Sequence, residues 1–122
     1  MAVTFTETDY SHSIQHLSIA WTSDSDGGAT GTSTQPYDGI LHFVATIPSG
    51  GGTAPVADYD VTLTDNNSLD LLLGSGVDRS ATLTQYIKQA DLGVVSGSKL
   101  TFTVAAAGEL KQGTAHIYIR RD

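Results

Sequence analysis

Residues 59–65, YDVTLTD, limit what this chain can fold into more than any other stretch, because Tyr59, Val61 and Leu63 alternate with Asp60, Thr62 and Thr64. A period of two belongs to a strand with one dry face and one wet face, and β-branched and aromatic side chains fit that pleated surface. Asp65-Asn66-Asn67 then ends the run, since such side chains hydrogen-bond their own backbone in turns. The same alternation returns in Leu17, Ile19 and Trp21, in Leu100, Phe102 and Val104, and in Ala115, Ile117 and Ile119, each set expected on the core side of a strand. Residues 40–47, ILHFVATI, are apolar on both alternating faces and read as a central strand. No segment sustains the 3.6-residue period of a helix.

The intervening segments are rich in turn chemistry. Residues 23–28, SDSDGG, and 107–113, AGELKQG, read as hairpin loops because Gly and Asp accept positive φ. Residues 36–39 read as a further turn, and 48–55 and 74–80 as mobile glycine-bearing loops. Residues 69–73 suit either a short strand or one helical turn, 81–87 a strand, and 89–98 a loop with a buried anchor. Residues 29–35, ATGTSTQ, are polar on both faces and read as an exposed edge strand. Val3 and Phe5 alternate with Thr4 and Thr6, so residues 1–9 are expected to form an edge strand or an N-terminal arm able to pair with a neighbour. About eight strands at this spacing predict an all-β chain: one domain over residues 1–122, an antiparallel β-sandwich of jelly-roll-like form.

Charge narrows the partners. Thirteen acidic against six basic residues give a formal charge of −7, the wrong sign for binding a phosphate backbone or an anionic membrane surface. Without cysteine there is neither a disulfide nor a thiolate ligand or nucleophile. The opening residues MAVTFTE have no basic region followed by an apolar one, so synthesis in the cytoplasm is expected, and no run approaches the roughly 18 apolar residues of a membrane-spanning helix.

Several residue groups invite a chemical reading. His12 and His16 are four apart, but on a strand that spacing is roughly 13 Å, too far for one metal ion. Asp24-Ser25-Asp26-Gly27 resembles the start of a calcium loop, yet the twelfth position is Gln35, which cannot supply the bidentate carboxylate. Gly74-Ser75-Gly76 lacks the lysine of a phosphate loop, and no Gly-x-Ser-x-Gly elbow is present. His42 reads as a core or seam residue, and Trp21 as core, in phase with Leu17 and Ile19. The aspartates are scattered over turns, so no carboxylate pair for glycoside hydrolysis is discernible. No catalytic, cofactor or metal residues are assigned, and an enzyme is not expected.

Trp21-Thr22-Ser23-Asp24 with Gly28 and Gly31-Thr32, the 59–65 strand, and Asp70-Leu71-Leu72 with Gly74 and Gly76 together resemble small structural proteins encoded in tailed-bacteriophage virion gene clusters. Ser98-Lys99-Leu100-Thr101, Ala107-Gly108, Lys111 with Gly113, and Ile117-Tyr118-Ile119 carry the likeness to the end of the chain. The resemblance implies a β-sandwich or jelly roll that binds the outside of a phage head as a cement or decoration protein, with the major capsid protein and further copies of itself as partners. It implies no catalytic or ligand residues. The expected contacts to capsid or neighbouring subunits are backbone edges at Ala2, Val3, Thr4 and Phe5 and at Thr30, Thr32 and Thr34. A tail or head-tail connector role, and a carbohydrate-binding module using Tyr37 or Tyr86, are the alternatives.

Overall fold

The structure is a computed structural model that describes residues 2–9 and 13–121. Nine strands form two facing antiparallel sheets. They are β1 (Ala2–Asp9), β2 (Ile14–Thr22), β3 (Ala29–Thr32), β4 (Tyr37–Pro48), β5 (Asp60–Thr64), β6 (Gln85–Lys88), β7 (Val94–Ser98), β8 (Thr101–Ala105) and β9 (Gln112–Arg120). The larger sheet runs β1-β2-β9-β4-β6, with β7 also paired to β4, and the smaller runs β3-β8-β5. The expected antiparallel β-sandwich is present, and no α-helix occurs among the described residues.

The alternating positions do what their period requires. Leu17, Ile19, Leu41, Val44, Ile117 and Ile119 of the larger sheet meet Val61, Leu63, Phe102 and Val104 of the smaller in one core. Trp21 and Tyr59 touch across the gap, with ring centroids 5.5 Å apart. Removing such surface from water stabilises the fold by about 25 cal/mol per Å², which is why the two sheets stay face to face. Residues 40–47 lie within β4, which has neighbours on both sides, so the expected central strand is central.

Both segments read as hairpin loops instead carry the chain from one sheet to the other. Residues 23–28 leave β2 for β3, and residues 106–111 leave β8 for β9. Asp-Gly fixes local turn geometry, but which strands flank it depends on where the apolar faces pack. The two crossings are fastened together by Ser23, which is fully buried. Its hydroxyl donates to Gly108 O (2.5 Å) and accepts from Lys111 N–H (2.8 Å), while Ser23 N–H donates to Lys111 O (2.8 Å). At the opposite end Ser33, also buried, accepts from Leu100 N–H (3.0 Å) and donates to Gln35 O (2.7 Å).

Other local expectations change in contact with the rest of the chain. Residues 36–39 are the entry of β4, with a register shift between Tyr37 and Gly39. Gly39 has φ +136°, and a Cβ there would lie 2.5 Å from Arg120 O, so the strand bends where glycine permits it. Residues 69–73 make turns rather than a strand, held by Asp70, whose carboxylate accepts from Leu63, Leu72 and Gly74 N–H. The strand expected over 81–87 starts only at Gln85, and residues 89–98 contain β7 as well as the buried anchor Leu92. Residues 74–80, expected as a mobile loop, pack against the outer edge of β5: Val61 N–H donates to Gly76 O, and a Cβ on Gly76 would overlap Val61 O.

Ser23→Ala leaves a buried amide and a buried carbonyl without their partner and is expected to cost about 1–3 kcal/mol, read as a lowered denaturation midpoint. Gly76→Ala should destabilise by a similar amount, about 1–3 kcal/mol, through overpacking. Gly50→Ala, where a Cβ meets nothing within 4 Å, should leave the midpoint unchanged.

Candidate interaction surfaces

Alternation buries one side of every strand and sends the other outward, so each sheet presents one outer face. Each sheet also ends in strands that have a neighbour on one side only. Of the residues expected to make contacts, all but Thr34, which lies just past β3, fall on two such strands. β1 ends the larger sheet and β3 ends the smaller. They lie side by side without pairing: a Cβ on Gly31 would come 2.7 Å from Val3 Cβ, and Thr34 N–H donates to Glu7 Oε1 (3.1 Å).

Residues 2–9 are a full edge strand and not a free arm, since Ala2 to Asp9 pair with Thr22 to Gln15 without interruption. Val3 and Phe5 direct their side chains onto the core. What they leave to a partner is backbone. Thr4 is exposed. Thr30 and Thr32 also point outward, their hydroxyls bonded to those of Thr103 (3.1 Å) and Thr101 (2.9 Å).

Those threonines belong to a larger array. Thr30, Thr103 and Thr62 stand in one row across β3, β8 and β5, and Thr32, Thr101 and Thr64 in the next. The outer face of the smaller sheet is therefore a small grid of stiff, uncharged, β-branched side chains. Its signal was in the sequence as Thr-x-Thr at 30–32, 62–64 and 101–103. Only the strand order shows that the three motifs are neighbours.

The outer face of the larger sheet carries rings. His116, His16, Tyr118, Phe43 and Tyr86 form a continuous row across β9, β2, β4 and β6, with successive centroids 5.1, 4.5, 5.9 and 5.5 Å apart. His16 and Tyr118 are parallel within 6°, so they cover each other's faces. Tyr86, at the end of the row, is 64% exposed, whereas Tyr37 is buried and offers no stacking face to a sugar. In the sequence the nearest imidazole to His16 is His12, judged too far along a strand to share an ion and lying outside the described residues. The partner of His16 is His116, a hundred positions away, with Nε2 of His16 2.9 Å from Nδ1 of His116.

A centroid separation of 5.1 Å with nitrogens 2.9 Å apart sets the two rings edge to edge, each nitrogen aimed at the other. That geometry suits one proton held between two nitrogens. A single metal ion needs both lone pairs turned toward a third point. Burial, and then the positive charge available to His116, hold the His16 pKa below its ordinary 6.5. His42, expected in the core or at a seam, is exposed at the β4 irregularity, with Nδ1 3.0 Å from Gln89 Oε1.

Among the described residues, two depressions bear on these surfaces. One, of about 410 Å³, lies between Thr4, Trp21, Ile47, Ser49 and Gln112, and no titratable side chain lines it. The other, of about 270 Å³, adjoins Asp24, Thr30 and Thr103. Asp24 Oδ1 accepts from Asp26 and Gly28 N–H (2.8 and 3.1 Å), which lowers its pKa and commits that oxygen to closing the turn. Among the described residues no three His, Cys, Asp or Glu side chains converge as metal ligands. No family model, curated protein or solved structure matches the chain.

Because the folded state depresses the His16 pKa, the unfolded chain binds more protons below pH 6.5. The contribution is complete above that pH and is lost as pH falls through the lower folded value. Thermal melts from about pH 7.5 to about pH 5 should therefore show a larger loss for the wild type than for His16→Gln. Parallel profiles for the two proteins would remove the proton-sharing account of the pair.

Proposed function

We propose that this chain is a structural protein of a tailed-bacteriophage virion, a capsid decoration or cement protein that binds the outer head surface across capsomer boundaries. The observation that supports it is the pair of unpaired strand edges, β1 and β3, running along one side of a rigid sandwich. An edge strand offers main-chain donors and acceptors that a neighbouring chain can extend by β-pairing, with little demand on side-chain identity. A subunit that binds only the assembled lattice stabilises that lattice by mass action against the outward pressure of packaged DNA. The sequence resemblance to phage virion proteins points the same way.

In this reading the major capsid protein is the partner, the protein works as several copies on the head exterior after synthesis in the host cytoplasm, and no reaction is catalysed. Neither depression combines a nucleophile with a base and a group that orients it. Ala2, Val3 and Phe5 act through backbone, while Thr4 and the outward Thr30, Thr32 and Thr34 flank the edge.

Removing residues 1–7 would strip Val3 and Phe5 from the core, so a surface change is the better test. Lysine on an edge discourages strand addition. Thr4→Lys combined with Thr32→Lys should lower occupancy on purified particles about tenfold while the melting temperature stays near wild type, since exposed substitutions cost little. Undiminished occupancy would remove the edges from the contact. Copy number in fractionated particles tests the location: a cement protein is present at on the order of hundreds per head, and a symmetric connector ring at about a dozen.

A further inference from the structure

Charge is unevenly divided between the outer face of the larger sheet and the segment that follows β5. Among the described residues, only Glu7, Asp9 and Asp38 of the acidic side chains lie on strands of the larger sheet. Glu7 is bonded to Thr34, and Asp38 accepts from Gly97 N–H (2.5 Å) at the start of β4. The outward positions of β2, β9, β4 and β6 instead carry the cations Arg120 and Lys88, with the imidazoles of His16, His116 and His42, around the row of rings. Val94 of β7 and Tyr86 of β6, 59% and 64% exposed, add apolar surface to the same face.

The segment that packs along the free edge of β5 has the opposite character. Leu69, Leu73 and Val77 are 60%, 61% and 50% exposed there, and Asp65, Asp70 and Asp78 are spaced along the same segment. Their carboxylates and amides fix the local turns: Asp65 Oδ1 accepts from Asn67 and Leu69 N–H, and Asp60 Oδ1 from Asp78 N–H. The leucines are thus held outward on an ordered frame. An apolar patch rimmed by charge is the usual form of a protein–protein contact, and aromatic side chains and arginine are enriched at the centres of such contacts.

We propose that the basic, ring-bearing face of the larger sheet docks the acidic, leucine-bearing 65–78 segment of a second copy. The two patches are complementary in charge, both have apolar centres, and they occupy different sides of one molecule. Contact between them is head-to-tail, and such contacts propagate into rings or chains. This rests on the reading of the protein as an assembling structural unit, and it supplies the contact between copies, distinct from the β1 and β3 edges assigned to the shell.

Sedimentation velocity of the purified protein tests it without particles. Reversible association is expected at low salt and should weaken at high salt, because exposed charge pairs are screened over about 3 Å at 1 M ionic strength compared with about 10 Å at 0.1 M. Lys88→Glu and Asp78→Lys, both exposed, should each weaken association about tenfold, as a repulsive charge does at an interface. Mixing the two variants should restore association, because the altered face of one meets the altered segment of the other and their unaltered surfaces still match. Tyr86→Ala should weaken association without changing its salt dependence. A monomer at every concentration and salt, or association that ignores all three substitutions, would overturn the proposal. Association abolished by Thr4→Lys with Thr32→Lys but untouched by the charge variants would overturn it too, by placing the contact at the strand edges. Particle occupancy of Lys88→Glu separates the two readings: retained occupancy with lost self-association leaves the shell contact standing, and lost occupancy with normal self-association counts against a face reserved for copies.

Discussion

Everything in this molecule depends on holding two sheets in register while the chain crosses between them six times. β3 and β8 are neighbours in the smaller sheet, and each is entered from the larger sheet and left for it again. Crossing segments have to bury backbone at the ends of the sandwich, where no ladder supplies partners. Two serines resolve this. Ser23 ties the β2–β3 crossing to the β8–β9 crossing, and Ser33 ties the start of the β3–β4 crossing to Leu100 just before β8. A hydroxyl can donate and accept within one short side chain, so it bridges two strands of backbone where a longer polar group would not fit. Hydrophobic burial drives the sheets together, and the serines fix which crossings lie against which.

With the ends closed in this way, the two flanks of the sandwich differ. On one flank the segment after β5 turns back over the strand, and Arg79 reaches Thr46 of β4 (3.5 Å) near the buried Tyr59, whose phenol is held above its ordinary pKa by burial. That flank is covered. On the other, β1 and β3 end their sheets and lie together without forming a ladder. Natural sandwiches protect such edges against indiscriminate pairing. Here the glutamate of Glu7 bridges to Thr34, leaving an edge that is polar but still capable of strand addition.

The outer faces follow from the same construction. Inward alternation is set by burial, which leaves outward positions free to differ between sheets. The smaller sheet uses them for a grid of threonines, and the larger for rings and basic groups. Cross-strand neighbours on the outside stabilise the sheet and at the same time set the chemistry of the face it presents.

The strands were legible where alternation was strict. Leu17, Ile19 and Trp21, Tyr59, Val61 and Leu63, and Ala115, Ile117 and Ile119 face the core as their period demands, because only one register puts apolar groups inside. The edge character of residues 29–35 could also be read, from polarity on both sides, and that of residues 1–9 from alternation at the start of the chain. Partnership could not. Asp-Gly at 26–27 and the glycines at 108 and 113 predict that the chain turns, and they say nothing about whether it turns within a sheet or between two. For His16 the sequence offered only the nearby His12, which strand spacing ruled out as a partner. Antiparallel pairing of β2 with β9 brought His16 instead to His116 and Tyr118, and the same pairing assembled the ring row and, in the other sheet, the threonine grid. Sequence by itself determined which side of each strand is dry, since that follows from local period and transfer free energy. Tertiary structure alone decided which strands are neighbours, because closing long loops over a shared core is a property of the whole chain, and every candidate surface here is made by those neighbours.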